Sequence, residues 1–223
     1  MSNAECRMPN GSRMPDAARR KAVWGGRVRL ATAVALAAAL IALASCSKMI
    51  RTGQSPVYLE LTQLQGAAGT SGAFGSTLQS DVLNVNNSTT PPTTSIAGDR
   101  GQATFAVVLK DPVASTPSPA NAITLTQYHV EYVRSDGRNQ QGVDVPYAFD
   151  GAVTLTMNGG GSVGFTLVRV QAKMEAPLAA LAFGGGANTI STIAHVTFYG
   201  HDQNGREVSV TGDIEVNFSD WAG

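Results

Sequence analysis

The chain has 223 residues, 16 basic and 16 acidic side chains, a hydrophobic fraction of 43% and two cysteines. That length and apolar share suffice for one domain with a full core, and they exclude a disordered polyelectrolyte or a small disulfide-stapled scaffold. With no basic excess the chain lacks the electrostatic footprint that a phosphate backbone requires, so nucleic acid is excluded as a partner.

Residues 1–45 read as a processing segment and not as part of the fold. A basic stretch (Arg19, Arg20, Lys21, Arg27, Arg29) precedes an apolar run from Leu30 to Ala44, and the small pair Ala44-Ser45 leads to Cys46. The run is shorter than the roughly 18 to 20 residues of a bilayer-spanning helix. Basic, apolar and small residues in this order, closed by cysteine, resemble the helical signal peptide of bacterial lipoproteins. The resemblance implies cleavage before Cys46, a thioether-linked diacylglycerol on its sulfur and an acylated new amino terminus. Each buried methylene contributes roughly 0.8 kcal/mol, so two or three chains hold where one chain alone holds only marginally. Ser47 stands where an inner-membrane retention signal would carry Asp, which places the expected anchor in the outer membrane, facing the periplasm or the cell surface. Arg19-Arg20 lacks the flanks of a twin-arginine signal, since Ala18 precedes it and Lys21-Ala22 follows.

Maturation would change the charge. Loss of residues 1–45 removes seven basic and two acidic side chains, leaving nine against 14, a net charge of −5 over 178 residues. Cys6 departs with the leader and Cys46 is taken by lipid, so neither a disulfide nor thiol chemistry is expected. Residues 46–55 form a lipidated tether with a reach of at most about 35 Å, and residues 56–223 form the domain.

Along that domain the apolar residues alternate. Val57, Leu59 and Leu61 alternate with Tyr58, Glu60 and Thr62, and Phe105, Val107 and Leu109 with Thr104, Ala106 and Val108. Tyr128, Val130 and Tyr132 face away from Gln127, His129 and Glu131; Val153, Leu155 and Met157 form a further short strand. Val163 to Val170 reads as another strand whose apolar residues change face midway, which predicts a bulge or burial on both sides. Asn84 to Ser95 and Asp111 to Asn121, rich in Asn, Thr and Pro, read as long surface loops. Turns are expected at Asp136-Gly137, Asp150-Gly151 and Asn158 to Gly161. Glu175 to Ala182 is the one helical candidate. The strongest signal comes last: Val208, Val210, Gly212, Ile214, Val216 and Phe218 alternate with Glu207, Ser209, Thr211, Asp213, Glu215 and Asn217. This strand should pair with Ile190 to Gly200 through the Asn204-Gly205 turn as a closing hairpin. About seven antiparallel strands without alternating helices predict an all-β fold, a single β-sandwich.

The chemical motifs are weak. Gly160-Gly161-Ser162-Val163-Gly164 fits G-x-S-x-G, but a nucleophile elbow needs a helix after the serine, and Phe165-Thr166-Leu167-Val168 reads as strand; the motif is expected to be a flexible hairpin loop. His129, His195 and His201 fall on different predicted elements, without the spacing of a zinc motif. Asp99, Asp136, Asp144, Asp150 and Asp202 lie near turns and would suit calcium, but Asp202-Gln203-Asn204-Gly205 lacks the further donors of an EF-hand loop. No catalytic residue, metal or cofactor is expected, and the chain is not expected to be an enzyme.

Three segments, 128–139, 142–151 and Val196-Thr197-Phe198-Tyr199-Gly200, resemble those of uncharacterised bacterial lipoproteins with an immunoglobulin-like or fibronectin-type-III-like domain. The resemblance implies that fold and an envelope location, and no activity. The expected function is that of a non-catalytic interaction module, tethered to a membrane and binding an envelope protein through loops or a sheet edge. The alternative is a carbohydrate-binding module for wall or surface polysaccharide, with Trp221 and Tyr147 as the aromatic contacts. Oligomeric state is not legible in the sequence.

Overall fold

The computed structural model describes residues 55–69, 72–111, 117–184 and 187–221. The leader, Cys46 and all of the tether except Ser55 lie outside the described residues. Among the described residues no helix is long and apolar enough to cross a membrane.

The fold is all-β. Strands β1 (Val57–Ala67), β5 (Asp99–Leu109) and β8 (Gly160–Val168) form an antiparallel sheet in the order β1-β5-β8. Strands β2 (Thr77–Asp81), β6 (Ile123–Val133), β7 (Phe149–Met157), β9 (Ile190–Asp202) and β10 (Glu207–Ser219) form a second sheet in the order β2-β10-β9-β6-β7. The expectation of antiparallel strands fails at one place, because β2 runs parallel to β10, with Thr77 opposite Glu215 and Ser219 opposite Asp81. A third, two-stranded sheet pairs β3 (Asn84–Asn86) with β4 (Thr93–Ser95), so the segment expected to be a plain loop is an exposed hairpin.

The closing hairpin forms as its alternation requires. Val216 and Phe218 point into the core while Glu207, Ser209, Thr211 and Asp213 face solvent, and Glu207 pairs with His201 at the turn. Gly205 takes φ 75°, the left-handed conformation that the Asn-Gly pair supplies cheaply. Strand β9 is longer than the sequence indicates and carries both His195 and His201. The helical candidate is displaced. A short helix, α1 (Val170–Met174), precedes it, and within it only a 3-10 turn (Leu178–Leu181) forms, because Pro177 has no N–H to continue a helix and restricts the residue before it. Asp150-Gly151 lies inside β7, and Gly160 to Gly164 lies inside β8 where a loop is expected.

The two larger sheets bury their inward faces against each other. Phe105 and Phe165 from the three-stranded sheet meet Phe198 of β9 edge-on, with ring centroids 4.9 and 5.3 Å apart. Such pairs contribute about 0.5–1.5 kcal/mol beyond the area they bury. Gly101 on β5 is required here, since a Cβ would collide with the Phe165 ring. Tyr132 of β6, fully buried, donates its hydroxyl to the Leu167 carbonyl at 2.6 Å, and the Tyr128 hydroxyl accepts the Thr166 N–H at 3.2 Å. Both bonds cross between sheets beside the irregular pairing of Asp99 and Arg100 with Val168 and Thr166, which matches the expected change of face in β8. Burial pushes the Tyr132 phenol far above its ordinary range, with the nearby Asp99 adding to the effect, so this hydroxyl stays a donor.

Candidate interaction surface

Strand register defines two poles. At one, Ala67 lies opposite Arg100, Asp99 opposite Val168, Val133 opposite Ile193 and Ser219 beside Asp81. This pole therefore gathers the loops after β1, β2, β6 and β8 together with the chain after β10. At the other pole the described domain begins, with Pro56 accepting the Lys110 N–H, and the β9–β10 turn lies on that side. The first is called the far pole below.

A buried charge network holds the far pole together. Lys173 on α1 reaches Asp99 Oδ1 at 2.9 Å, both side chains being removed from water, and also donates to the Asp81 carbonyl at 2.7 Å. Asp99 further accepts the Ser80 hydroxyl at 2.5 Å and the Gly69 N–H at 2.8 Å. Desolvating two charges is repaid only by such full satisfaction, and removing one partner from a buried pair costs about 3–5 kcal/mol. Asp81 in turn accepts the backbone N–H of Trp221 at 3.2 Å and of Leu83 at 3.4 Å, so the chain after β10 is fixed to β2. Burial raises the Asp81 carboxyl above its ordinary value; the Trp221 and Leu83 amides oppose the shift and Asp220 adds to it. Asp220 is buried, and neither of its carboxylate oxygens has a hydrogen-bond partner among the described residues.

Over this network the far pole exposes apolar side chains. Trp221 is 47% exposed, Tyr147 49%, Met174 62% and Phe183 81%, and Phe74 and Val143 join them. Phe183 has φ 63°, in the left-handed region that a bulky residue rarely adopts. A strained backbone presenting an aromatic ring to water is a feature that binding would explain and folding does not. Arg169, just before α1, stacks on Phe149 at 4.5 Å, linking the β8 exit to the start of β7.

Trp221 and Tyr147 thus share a pole, Tyr147 lying in the connection from β6 to β7, but they make no ring contact with each other among the described residues. Phe183 and Met174 are missed by the sequence reading. The signal present for Phe183 is an aromatic directly before Gly184 in a stretch without periodicity. The turn aspartates proposed for calcium are engaged within the protein. Asp99 holds Lys173, Asp136 holds Arg134 and Arg138, Asp150 holds His129, and Asp202 caps its own turn. Among the described residues no group of three His, Cys, Asp or Glu side chains is disposed to hold a metal. Ser162, strand on both sides, shares a hydrogen bond with the Thr104 hydroxyl at 2.9 Å.

The outer face of the five-stranded sheet is different in kind. All three histidines lie on it; His129 on β6 stands on a separate element as expected, while His195 and His201 share β9. His129 bonds Asp150 at 2.8 Å and His195 bonds Asp213 at 2.6 Å. Threonine pairs complete the pattern, Thr197 with Thr211 and Thr124 with Thr156.

No protein-family model matches the chain, and no curated protein does. Among solved structures the chain is similar to one described as Northeast Structural Genomics Consortium target SoR45, at 10% identity over 74% of this chain and 88% of that one, with a TM-score of 0.30. A likeness at that level carries no argument about this chain.

Proposed function

We propose that this chain is a non-catalytic interaction module of the bacterial envelope, held to a membrane by lipid on Cys46 and meeting a protein partner with its far pole. The observation that carries the reading is the collection of exposed Phe183, Met174, Trp221 and Tyr147 at the pole opposite the entry of the chain. A tether reaching at most about 35 Å would keep the domain close to its membrane. The strand order supports an immunoglobulin-like reading of the two sheets, since the chain changes sheet between β5 and β6, β7 and β8, and β8 and β9 as a Greek-key sandwich does.

The test places a photocrosslinking amino acid at Phe183, and separately at Thr154 on the outer face of β7, in cells expressing the full chain. A discrete protein adduct is expected from position 183 alone, and Cys46→Ala should release the chain from membranes and abolish it. No adduct at 183, or the same adduct from 154, would sink the far-pole reading. Membrane retention of the Cys46→Ala chain would sink the anchor.

A further inference from the structure

A hollow of about 770 Å³ lies away from the far pole, on the outer face of the five-stranded sheet near the β9–β10 turn. That falls within the roughly 300–1,000 Å³ usual for small-ligand sites. Its shape comes from two departures from regular sheet. Between Leu125 and Gln127 the register of β6 slips against both neighbours, Thr126 being the extra residue opposite β9, and Thr126 and Gln127 are both turned to solvent. Opposite the slip stands Gly200, where a Cβ would collide with the Thr124 carbonyl oxygen, so only glycine lets β9 approach the slipped strand this closely beneath Tyr199 and His201. Bulges of this kind re-aim side chains at functional sites.

The walls are preorganised. Asp202, buried, accepts the N–H groups of Asn204 and Arg206, each at 2.9 Å, and so fixes the turn that carries Gly205 and Glu207. His201 Nδ1 lies 3.1 Å from the Asp202 carbonyl oxygen. A carbonyl only accepts, so Nδ1 carries the proton and Nε2 of the neutral ring remains an acceptor.

The lining then selects a ligand class. Tyr199, 38% exposed, offers a ring face, flanked in register by Gln127 and Ser209. Gln127, Ser209, His201 and Glu207 supply neutral donors and acceptors with one carboxylate, and no lysine or arginine lines the hollow among the described residues. A phosphate or sulfate would meet no cation and one like charge. A lipid tail would strand the polar side chains of Thr126, Gln127, His201, Glu207 and Ser209. A neutral sugar satisfies both halves, its hydroxyls pairing with the polar rim and its C–H face lying on Tyr199. We propose that the Tyr199 hollow is a binding subsite for a neutral sugar residue of a glycan, separate from the far-pole surface.

The test is calorimetric titration of the full chain in detergent micelles with cellohexaose, chitohexaose and, as the charged probe, polygalacturonate. Binding of a neutral oligosaccharide is expected, weakened about tenfold by Tyr199→Ala and severalfold by Gln127→Ala, with Thr154→Ala unchanged. Absence of binding by either neutral probe overturns the proposal, as does binding of polygalacturonate alone. Neutral binding that survives Tyr199→Ala and is lost in Trp221→Ala overturns it too, by moving the site to the far pole.

Discussion

The far pole and the outer face of the five-stranded sheet use the same chemistry in opposite ways. At the pole an Asp–Lys pair is buried and the apolar side chains above it are exposed; on the sheet face the His–Asp pairs are exposed and the apolar side chains beneath them are buried. The difference lies in what each pair can do for stability. A solvated pair on a strand is worth about 0–1 kcal/mol, because water already serves both partners. A buried pair that joins α1 to β2 and β5 instead decides whether those elements dock at all.

Lys173→Met is the largest test of that contrast. It leaves Asp99 with Ser80 and Gly69 but without its counter-charge, and should cost about 3–5 kcal/mol by urea denaturation. Asp99→Leu in the same chain should restore part of the loss. A cost under about 1 kcal/mol would show that the pole is held by its apolar contacts and not by the pair. Tyr132→Phe comes next. It strands the buried Leu167 carbonyl between the two sheets and should cost about 1–3 kcal/mol. His195→Gln, on the sheet face, should cost under about 1 kcal/mol. If it matched Lys173→Met, the comparison between the regions would fail.

The same division explains what could be read from the sequence. The sheet face was legible because period-two alternation in β10 is a local property, and the Asn204-Gly205 turn fixes its partner. Strand β2 was not, since Thr77-Leu78-Gln79-Ser80-Asp81 has one buried aliphatic side chain and pairs in parallel with residues far along the chain. The hollow left a trace: apolar spacing of two at Ile123 and Leu125 becomes three at Tyr128, the mark of an extra residue in β6. The far pole left almost none. Nothing near Lys173 in sequence indicates Asp99, and Trp221 and Tyr147 were legible only as aromatics close to strand ends.

The smallest expected effect is one of pH, and here two carboxyls of the far pole differ in sign. Asp136, in the connection from β6 to β7, is held down to about 2 by hydrogen bonds from Arg134 first and the Arg138 amide second. A carboxyl lowered on folding stabilises above its ordinary 3.8, and that contribution is lost as pH falls toward about 2. Asp81 is raised, so its contribution is present below 3.8 and is lost as pH rises through its folded value. Acidification therefore loosens the exposed loop while easing the buried carboxyl beneath Trp221. Carboxyl carbon chemical shifts recorded against pH should show the two groups titrating on opposite sides of 3.8. In Asp220→Asn the Asp81 midpoint should move down, since one neighbouring charge is gone, while Asp136 stays where it was. An unmoved Asp81 midpoint would mean that Asp220 does not act on the Trp221 anchor point.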